Sequence, residues 1–435
     1  MANEVETAER PNYKWIALLL LWVAFFLQQG TRQVFSGTRS FIGADAGLAG
    51  HDAISTGLIG TVFGYVYGIC VPFAGLAADL FRRKWMVAIG VLVFCCGIFC
   101  TGFASSMTMF VVTYGVVNGL GQTFYYPSAT SLMGQLHRES RATAFSLLQL
   151  GLYIGIVGCT WASGWISEAV PDGGWRLPYR IFGGIGVLWA VALVFLLKDT
   201  KPAVAADAPK KPGIGETFLA VVSKPSAILL ALGLGMFIYV DMGFKLWMPS
   251  YLRSEMFADG FAALERAVPW LKGAPELFAV LWHFLGAIVG IMVGSRISDR
   301  LAKRRPGIRM EMNIAGLLLG IPFIVLMTRV ESLAGCCVAM CLFGVFRGVY
   351  DSNLMASLFD VIKPRYHATA AGLMLCSGFL LGAPAPAVLG WMAGGEHPPV
   401  AGLQTGLMSL AAFYLAGAVV IGVARVCFLK RDHEG

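Results

Sequence analysis

Apolar stretches of about twenty residues recur from one end of this sequence to the other, and each is long enough to cross a hydrocarbon core about 30 Å thick. Only 13% of the 435 residues are charged and the mean hydropathy is +0.70, against about 25% charged in an ordinary soluble chain. Inside a bilayer the backbone must satisfy its own hydrogen bonds, which leaves helices or a closed barrel. The alternating segments of about ten residues that mark a membrane barrel are missing. The sequence therefore predicts an all-α polytopic membrane protein that lies in a lipid bilayer.

Twelve transmembrane helices can be drawn, over 14–36, 53–78, 85–105, 108–136, 141–168, 177–197, 225–252, 276–300, 308–328, 332–360, 367–394 and 402–429. The turns at 79–84, 137–141, 296–309 and 361–367 are rich in Arg and Lys, those at 106–107 and 395–401 carry none, and that near 329–331 carries one. The positive-inside rule then predicts that both termini face the cytoplasm of a cell (inner) membrane. The acidic start MANEVETAERPNYK has no small-residue cleavage site before the first apolar run and reads as a cytoplasmic tail. The net charge of +8 sits in alternate loops with no basic stripe interleaved with aromatics, so nucleic acid is not an expected partner. Ten cysteines fall almost all within the predicted spans, without metal-ligand spacing, and read as small buried hydrophobes. No metal or other cofactor is expected.

The stretch KDTKPAVAADAPKKPGIGE at 198–216 is polar and Pro/Ala-rich, as a flexible linker would be. It divides the chain into an N-terminal six-helix half (1–197), a cytoplasmic linker (198–224) and a C-terminal six-helix half (225–435). The halves share sequence: ESRATAFSLLQLG enters the fifth helix and RYHATAAGLMLCSG the eleventh, while Asp79 and Asp299 occupy corresponding turns. Two parallel six-helix repeats are the expected layout, one that secondary transporters use.

GLAADLFRRK, with Asp79 before Arg82, Arg83 and Lys84, resembles the cytoplasmic loop motif of the major facilitator superfamily, although Arg82 stands where that motif has its second glycine. Within the superfamily the chain resembles the anion:cation symporters, through WMPSYL (247–252) and GWRLPYRIFGGIGVLWAVALVFLLKDT (174–200). The resemblance implies the major facilitator fold, carriage of sugar acids or other organic anions, and a central cavity lined by the first, fourth, seventh and tenth helices. It also implies that Arg32 is the first-helix arginine that contacts a substrate carboxylate, with Thr31 in place of the preceding acidic residue. It further implies that Gln122 and Gly115 replace a proton-carrying glutamate and an arginine of the fourth helix, so that coupling must run elsewhere.

The polar residues inside the spans come mostly at helical spacing, which groups each set on one face. Gln28 and Gln29 precede Arg32 by one turn; Phe63 and Tyr67 share a face, as do Asn118, Gln122 and Tyr126, and Gln149 and Tyr153. The seventh helix carries Asp241 and Lys245, the eighth His283, and the tenth, in FRGVYDSNLM, Arg347, Asp351 and Asn353. A charge at mid-bilayer costs about 2.5–3.5 kcal/mol on insertion scales, so each needs a use. Three cations (Arg32, Lys245, Arg347) against two carboxylates (Asp241, Asp351) leave one positive charge, which suits a small organic anion as ligand. Arg32, Gln29, Tyr67, Gln122, Tyr126, Gln149, Tyr153, Lys245, Arg347 and Asn353 are the candidate binding residues. Asp351, which would neutralise Arg347 in the empty cavity, and Asp241 are the candidates for proton coupling; Asp79, Arg83, Asp299 and Arg300 are those for gating. The pairs Arg347–Asp351 and Asp241–Lys245 also have a purely structural reading as intrahelical ion pairs, the glutamines and tyrosines one as ties between helices, and His283 one as a packed core histidine.

The expected function is proton-coupled transport of a sugar acid or other monocarboxylate by a monomer, with an organophosphate or anion exchanger and a non-transporting sensor as alternatives. An enzyme is disfavoured by the lack of a Walker loop and of an intramembrane His/Cys/Asp cluster. A channel is disfavoured by the lack of a selectivity-filter repeat.

Overall fold

The computed structural model describes residues 13–42, 53–137, 140–170, 173–198, 214–269, 271–302, 304–305, 307–363, 366–395 and 398–432, and among these residues every regular element is helical. The first six helices are α1 (Tyr13–Ile42), α2 (Ala53–Leu80), α3 (Arg83–Thr101), α4, α5 (Arg141–Ala169) and α6 (Arg176–Leu196). α4 runs through Met107–Phe110, Val111–Asn118 and Gly119–Leu136, and its middle section winds as a wider π-helix. A short α7 (Ile214–Val222) leads to α8 (Pro225–Leu252), α9 (Glu255–Ala267), α10 (Ala274–Ala302), α11 (Ile308–Arg329) and α12 (Leu333–Phe359). α13 is broken between His367–Gly382 and Ala385–Ala393, where Pro384 interrupts the backbone ladder. α14 is formed by Val400–Val423, Ala424–Phe428 and Leu429–Asp432.

The protein is a multi-pass membrane protein. Among the described residues eleven helices are each long and apolar enough to cross a bilayer, and α4 passes through the same bundle between α2 and α3. Bulky apolar side chains such as Leu188, Phe195 and Val426 point outward, at 73%, 79% and 78% exposure, which suits lipid and not water.

Two features depart from the sequence reading. The stretch 198–216 reads as flexible, yet its last three residues open α7, an apolar helix whose Glu216 accepts a hydrogen bond from Tyr366 Oη at 2.7 Å; residues 199–213 lie outside the described residues. The second is α9, an amphipathic helix in the stretch between the seventh and eighth predicted spans.

Glycines determine how close the helices come. Gly286 and Gly290 of α10 face Gly344 and Gly348 of α12, and a Cβ at Gly290 would sit 1.8 Å from the Val345 carbonyl oxygen. This contact of small residues brings the two backbones together and lets Arg347 project from α12 beside α8 and α10. Gly290→Ala is therefore expected to lower the melting temperature of the purified protein, with overpacking worth about 1–3 kcal/mol. Gly372→Ala, where nothing lies within 4 Å of the added carbon, should leave it unchanged or slightly raised. Equal melting of the two variants would contradict the α10–α12 contact.

α1 and α3–α6 pack mainly on one another, as do α8, α10–α12 and α14, while α2 and α13 pack against each other across the two sets. The basic turns, between α2 and α3, α4 and α5, α10 and α11, and α12 and α13, share one face of the molecule, the basic face. Between the two sets, the polar ties among the described residues come from the opposite half of the helices. Ser36 Oγ donates to the Lys245 carbonyl, Arg39 Nη1 to Ser250 Oγ at 2.8 Å, and the Ala387 amide to Thr61 Oγ1 at 3.3 Å. The seam is thus tied shut at the far face.

Candidate functional site

α1 carries its polar residues to this seam because its opposite side is pressed onto α5. A Cβ at Gly30 would lie 2.4 Å from Cys159 Sγ, and one at Gly37 2.5 Å from the Thr160 carbonyl oxygen. With that side taken up, Gln29, Arg32 and Ser36 turn toward the seam, Arg32 against α2 and α13 and Ser36 against α8. Gln29, Arg32, Asp241 and Lys245 line one lobe of a cavity. Gln29, Gln149, Tyr153, Lys245, Arg347 and Asp351 line an adjoining lobe.

Arg32 is half-buried. Its guanidinium carbon lies 4.8, 5.0 and 5.3 Å from the ring centres of Phe63, Tyr67 and Phe379, and among the described residues its side chain has no ion pair or hydrogen bond. Three rings hold the cation through their faces, worth about 0.5–2 kcal/mol per contact. They leave its N–H groups unused, aimed into the cavity. Such a cation is ready for an anion.

The other charges form a network across α8 and α12. Asp241 Oδ2 accepts from Lys245 Nζ at 2.8 Å and Asp241 Oδ1 from Arg347 Nη2, also at 2.8 Å. Asp351 stands farther from Arg347, 3.7 Å from Nη2, and its side chain is more exposed, 30% against 19% for Asp241. The carboxylate that neutralises Arg347 in this state is thus Asp241 of the neighbouring helix, and the expected Asp351 partner is the looser of the two. Two cations and two carboxylates cancel here. The unbalanced charge in the cavity is Arg32.

Several selected residues sit elsewhere. Gln122 Nε2 donates to Asn118 Oδ1 at 2.9 Å and its carbonyl accepts from Gln28 Nε2 at 2.7 Å, a buried joint between α4 and α1. Tyr126 packs against Phe25 with ring centres 5.6 Å apart, and Asn353 Nδ2 donates to the Val349 carbonyl and Ser352 Oγ within α12. These three are not among the linings of the two lobes. His283 is buried among Phe244, Phe284 and Phe343. Of the gating candidates, Asp79 lies in the last turn of α2 and its side chain falls outside the described residues. Arg83 is buried at the start of α3, and among the described residues its Nε and Nη1 have no partner. Asp299 is 75% exposed and 3.8 Å from Arg309 Nη2, and the adjacent Arg300 is exposed.

A further cluster closes the far face. Arg253, just beyond α8, donates to Glu168 Oε2 of α5 at 2.8 Å and to both oxygens of Glu276 at the start of α10, where Glu276 is fully buried. Burial works against the charge on Arg253, and the Glu276 and Glu168 carboxylates more than offset it, so its pKa lies above the ordinary arginine value. Sequence reasoning passed over this cluster because charges at helix ends are ordinary there.

Paired helical repeats around a charged, central cavity define a membrane carrier. The sequence pattern of the Major Facilitator Superfamily matches residues 21–386, and the chain belongs to that family. It is 25% identical over 436 residues to the cis,cis-muconate transport protein of Acinetobacter baylyi, covering 96% of this chain and 95% of that one. It is 28% identical to protein spinster homolog 1 of Bos taurus, over 87% of this chain and 75% of that one. Among solved structures it resembles a bacterial homolog of the human lysosomal transporter Spinster in an inward-facing, unoccupied conformation. That match has a TM-score of 0.80 and 20% identity, and covers 98% of this chain and 99% of that one. The relatives are transporters and not enzymes.

Proposed function

We propose that this protein carries a small organic anion, foremost a sugar acid or other monocarboxylate, across a cell (inner) membrane by alternating access. The observation that carries the reading is Arg32, a half-buried guanidinium facing a cavity with no anionic partner among the described residues. A carboxylate placed there takes two parallel hydrogen bonds from the guanidinium, and Gln29, Gln149 and Tyr153 offer donors and acceptors for hydroxyl groups. The muconate transport protein, similar along nearly its whole length, supports a carboxylate as cargo. On this reading the basic face and both termini are cytoplasmic. The regions 1–197 and 225–435 move as two bodies joined by 198–224, and a single copy encloses the path.

Proton coupling on this reading belongs to the Asp241 network. A substrate carboxylate that reaches Lys245 and Arg347 competes with Asp241 and Asp351 for them. A desolvated carboxylate stripped of its cations takes up a proton. Anion and proton then travel together.

Gating follows from the two faces. Glu168→Gln weakens the tie that Arg253 makes from the second helix set to the first. It is expected to raise the labelling rate of a single cysteine placed on the far face of the seam several-fold, with substrate affinity within a few fold. Unchanged labelling would exclude Arg253 and Glu168 as a latch. On the basic face, Asp79 and Arg83, with Asp299 and Arg300, are proposed to form the opposing latch; the unpaired guanidinium nitrogens of Arg83 suit a group that gains its partner when that face shuts.

A thermal-shift screen of the purified protein tests recognition. Ligand at 100 times its dissociation constant stabilises by about 2.7 kcal/mol. D-gluconate or another sugar acid is expected to raise the melting temperature while glucose does not. Stabilisation by glucose 6-phosphate and phosphate alone would favour the exchanger of phosphorylated sugars.

A further inference from the structure

Arg39 lies seven residues beyond Arg32, so two turns of α1 place the pair, with Ser36 between them, on one face. It is only 7% exposed. Its guanidinium carbon sits 3.5 Å from the ring centre of Trp247, Nη1 donates to Ser250 Oγ at 2.8 Å, and Nη2 donates to Thr56 Oγ1 at 3.4 Å. Among the described residues its Nε has no partner and no carboxylate pairs with it. Ser40 Oγ lies 3.2 Å from Ser250 Oγ. Among the described residues, then, the Arg39 cation is buried at the far-face seam with neutral partners alone.

That arrangement is costly for a simple clamp, because a buried charge needs a counter-charge, and a neutral hydrogen-bonding residue would tie α1 to α8 without it. The donors are divided in an informative way. Arg39, Ser40 and Thr56 belong to α1 and α2, whereas Trp247 and Ser250 belong to α8. Opening of the far face would carry Trp247 and Ser250 off and leave a guanidinium flanked by two hydroxyls at the mouth of the path. A guanidinium with hydroxyl donors is a carboxylate-binding set.

We propose that Arg39 is a second anion-binding subsite, which captures the carboxylate of an organic anion arriving from the far face and passes it to Arg32 two turns deeper. In the state open to the basic face, Trp247 and Ser250 cover the guanidinium and close the subsite, so the anion held at Arg32 has no return path. This rests on the transport reading above.

Arg39→Gln and Arg39→Lys, compared with wild type in proteoliposomes of defined orientation, test the subsite with radiolabelled D-gluconate and cis,cis-muconate offered at either face. Arg39→Gln is expected to raise the KM for uptake from the far face at least tenfold, to leave the KM from the basic face within about twofold, and Arg39→Lys to recover part of the loss. The thermal shift given by the same compounds in detergent should be unaltered. Equal losses from both faces, or a fall in maximal rate at unchanged KM, would overturn the subsite and leave Arg39 a clamp. A wild type that moves neither compound from either face would overturn the transport reading itself, and the subsite with it.

Discussion

Arg32→Ala is expected to weaken anion binding more than a hundredfold while leaving the protein folded, and Arg32→Lys to weaken it about tenfold to a hundredfold. Each hydrogen bond to a charged group contributes about 1.5–3 kcal/mol, and about 1.4 kcal/mol is a factor of ten in affinity, so losing a bidentate grip on a carboxylate removes at least two such factors. Lysine keeps the charge among Phe63, Tyr67 and Phe379 but presents one ammonium in place of a planar fork. Arg32 makes no side-chain hydrogen bond or ion pair among the described residues, so its removal costs the empty protein only the contacts with the three rings, and Arg32→Ala should lower its melting temperature modestly without unfolding it. Titration calorimetry with the anion that stabilises the wild type reads both effects. Wild-type affinity in Arg32→Lys would remove the bidentate contact, and wild-type affinity in Arg32→Ala would remove Arg32 from the site.

Asp241→Asn is expected to separate exchange from accumulation. In the wild type, Asp241 accepts from both Lys245 and Arg347 at 2.8 Å, and the four charges cancel. Asparagine leaves that network at +1 and, with Arg32, the cavity at +2. It imitates a carboxylate that has already taken its proton. Anion affinity at neutral pH should rise several-fold and lose its dependence on pH. Counterflow of internal for external substrate should persist, while concentration of substrate driven by a pH gradient should disappear. Breaking a buried pair costs about 3–5 kcal/mol, so the substrate-loaded protein is the form to assay. If Asp241→Asn still concentrates substrate and Asp351→Asn does not, the proton belongs to Asp351. If both do, neither carboxylate carries it.

The fold was legible because membrane spans declare themselves residue by residue: length, hydropathy and the alternation of Arg and Lys in the turns all point the same way. Arg32 was legible for the same reason, as an isolated cation in an apolar run. The Asp241 network was legible only within each helix. Spacing shows that Asp241 meets Lys245 and that Arg347 can meet Asp351, but the shorter contact from Asp241 to Arg347 joins residues 106 apart and depends on how α8 and α12 pack. Gln122 misled because its helical face says which way it points and not whether another helix already covers it; Gln28 does. Arg39 was missed because the first helix was drawn to 36, whereas α1 continues to Ile42 and keeps Arg39 in phase with Arg32. Glu276 opens a helix, where an acidic residue is common, and nothing local marks it as half of a latch.

Uptake of radiolabelled D-gluconate into proteoliposomes, with and without an imposed proton gradient, bears most directly on the claim that an organic anion is carried through this cavity on Arg32. The account predicts accumulation above the external concentration when the trans side is alkaline, equilibration without a gradient, and no uptake by Arg32→Ala. Binding of gluconate without any uptake would make the protein a sensor, and uptake undiminished in Arg32→Ala would contradict the proposed site.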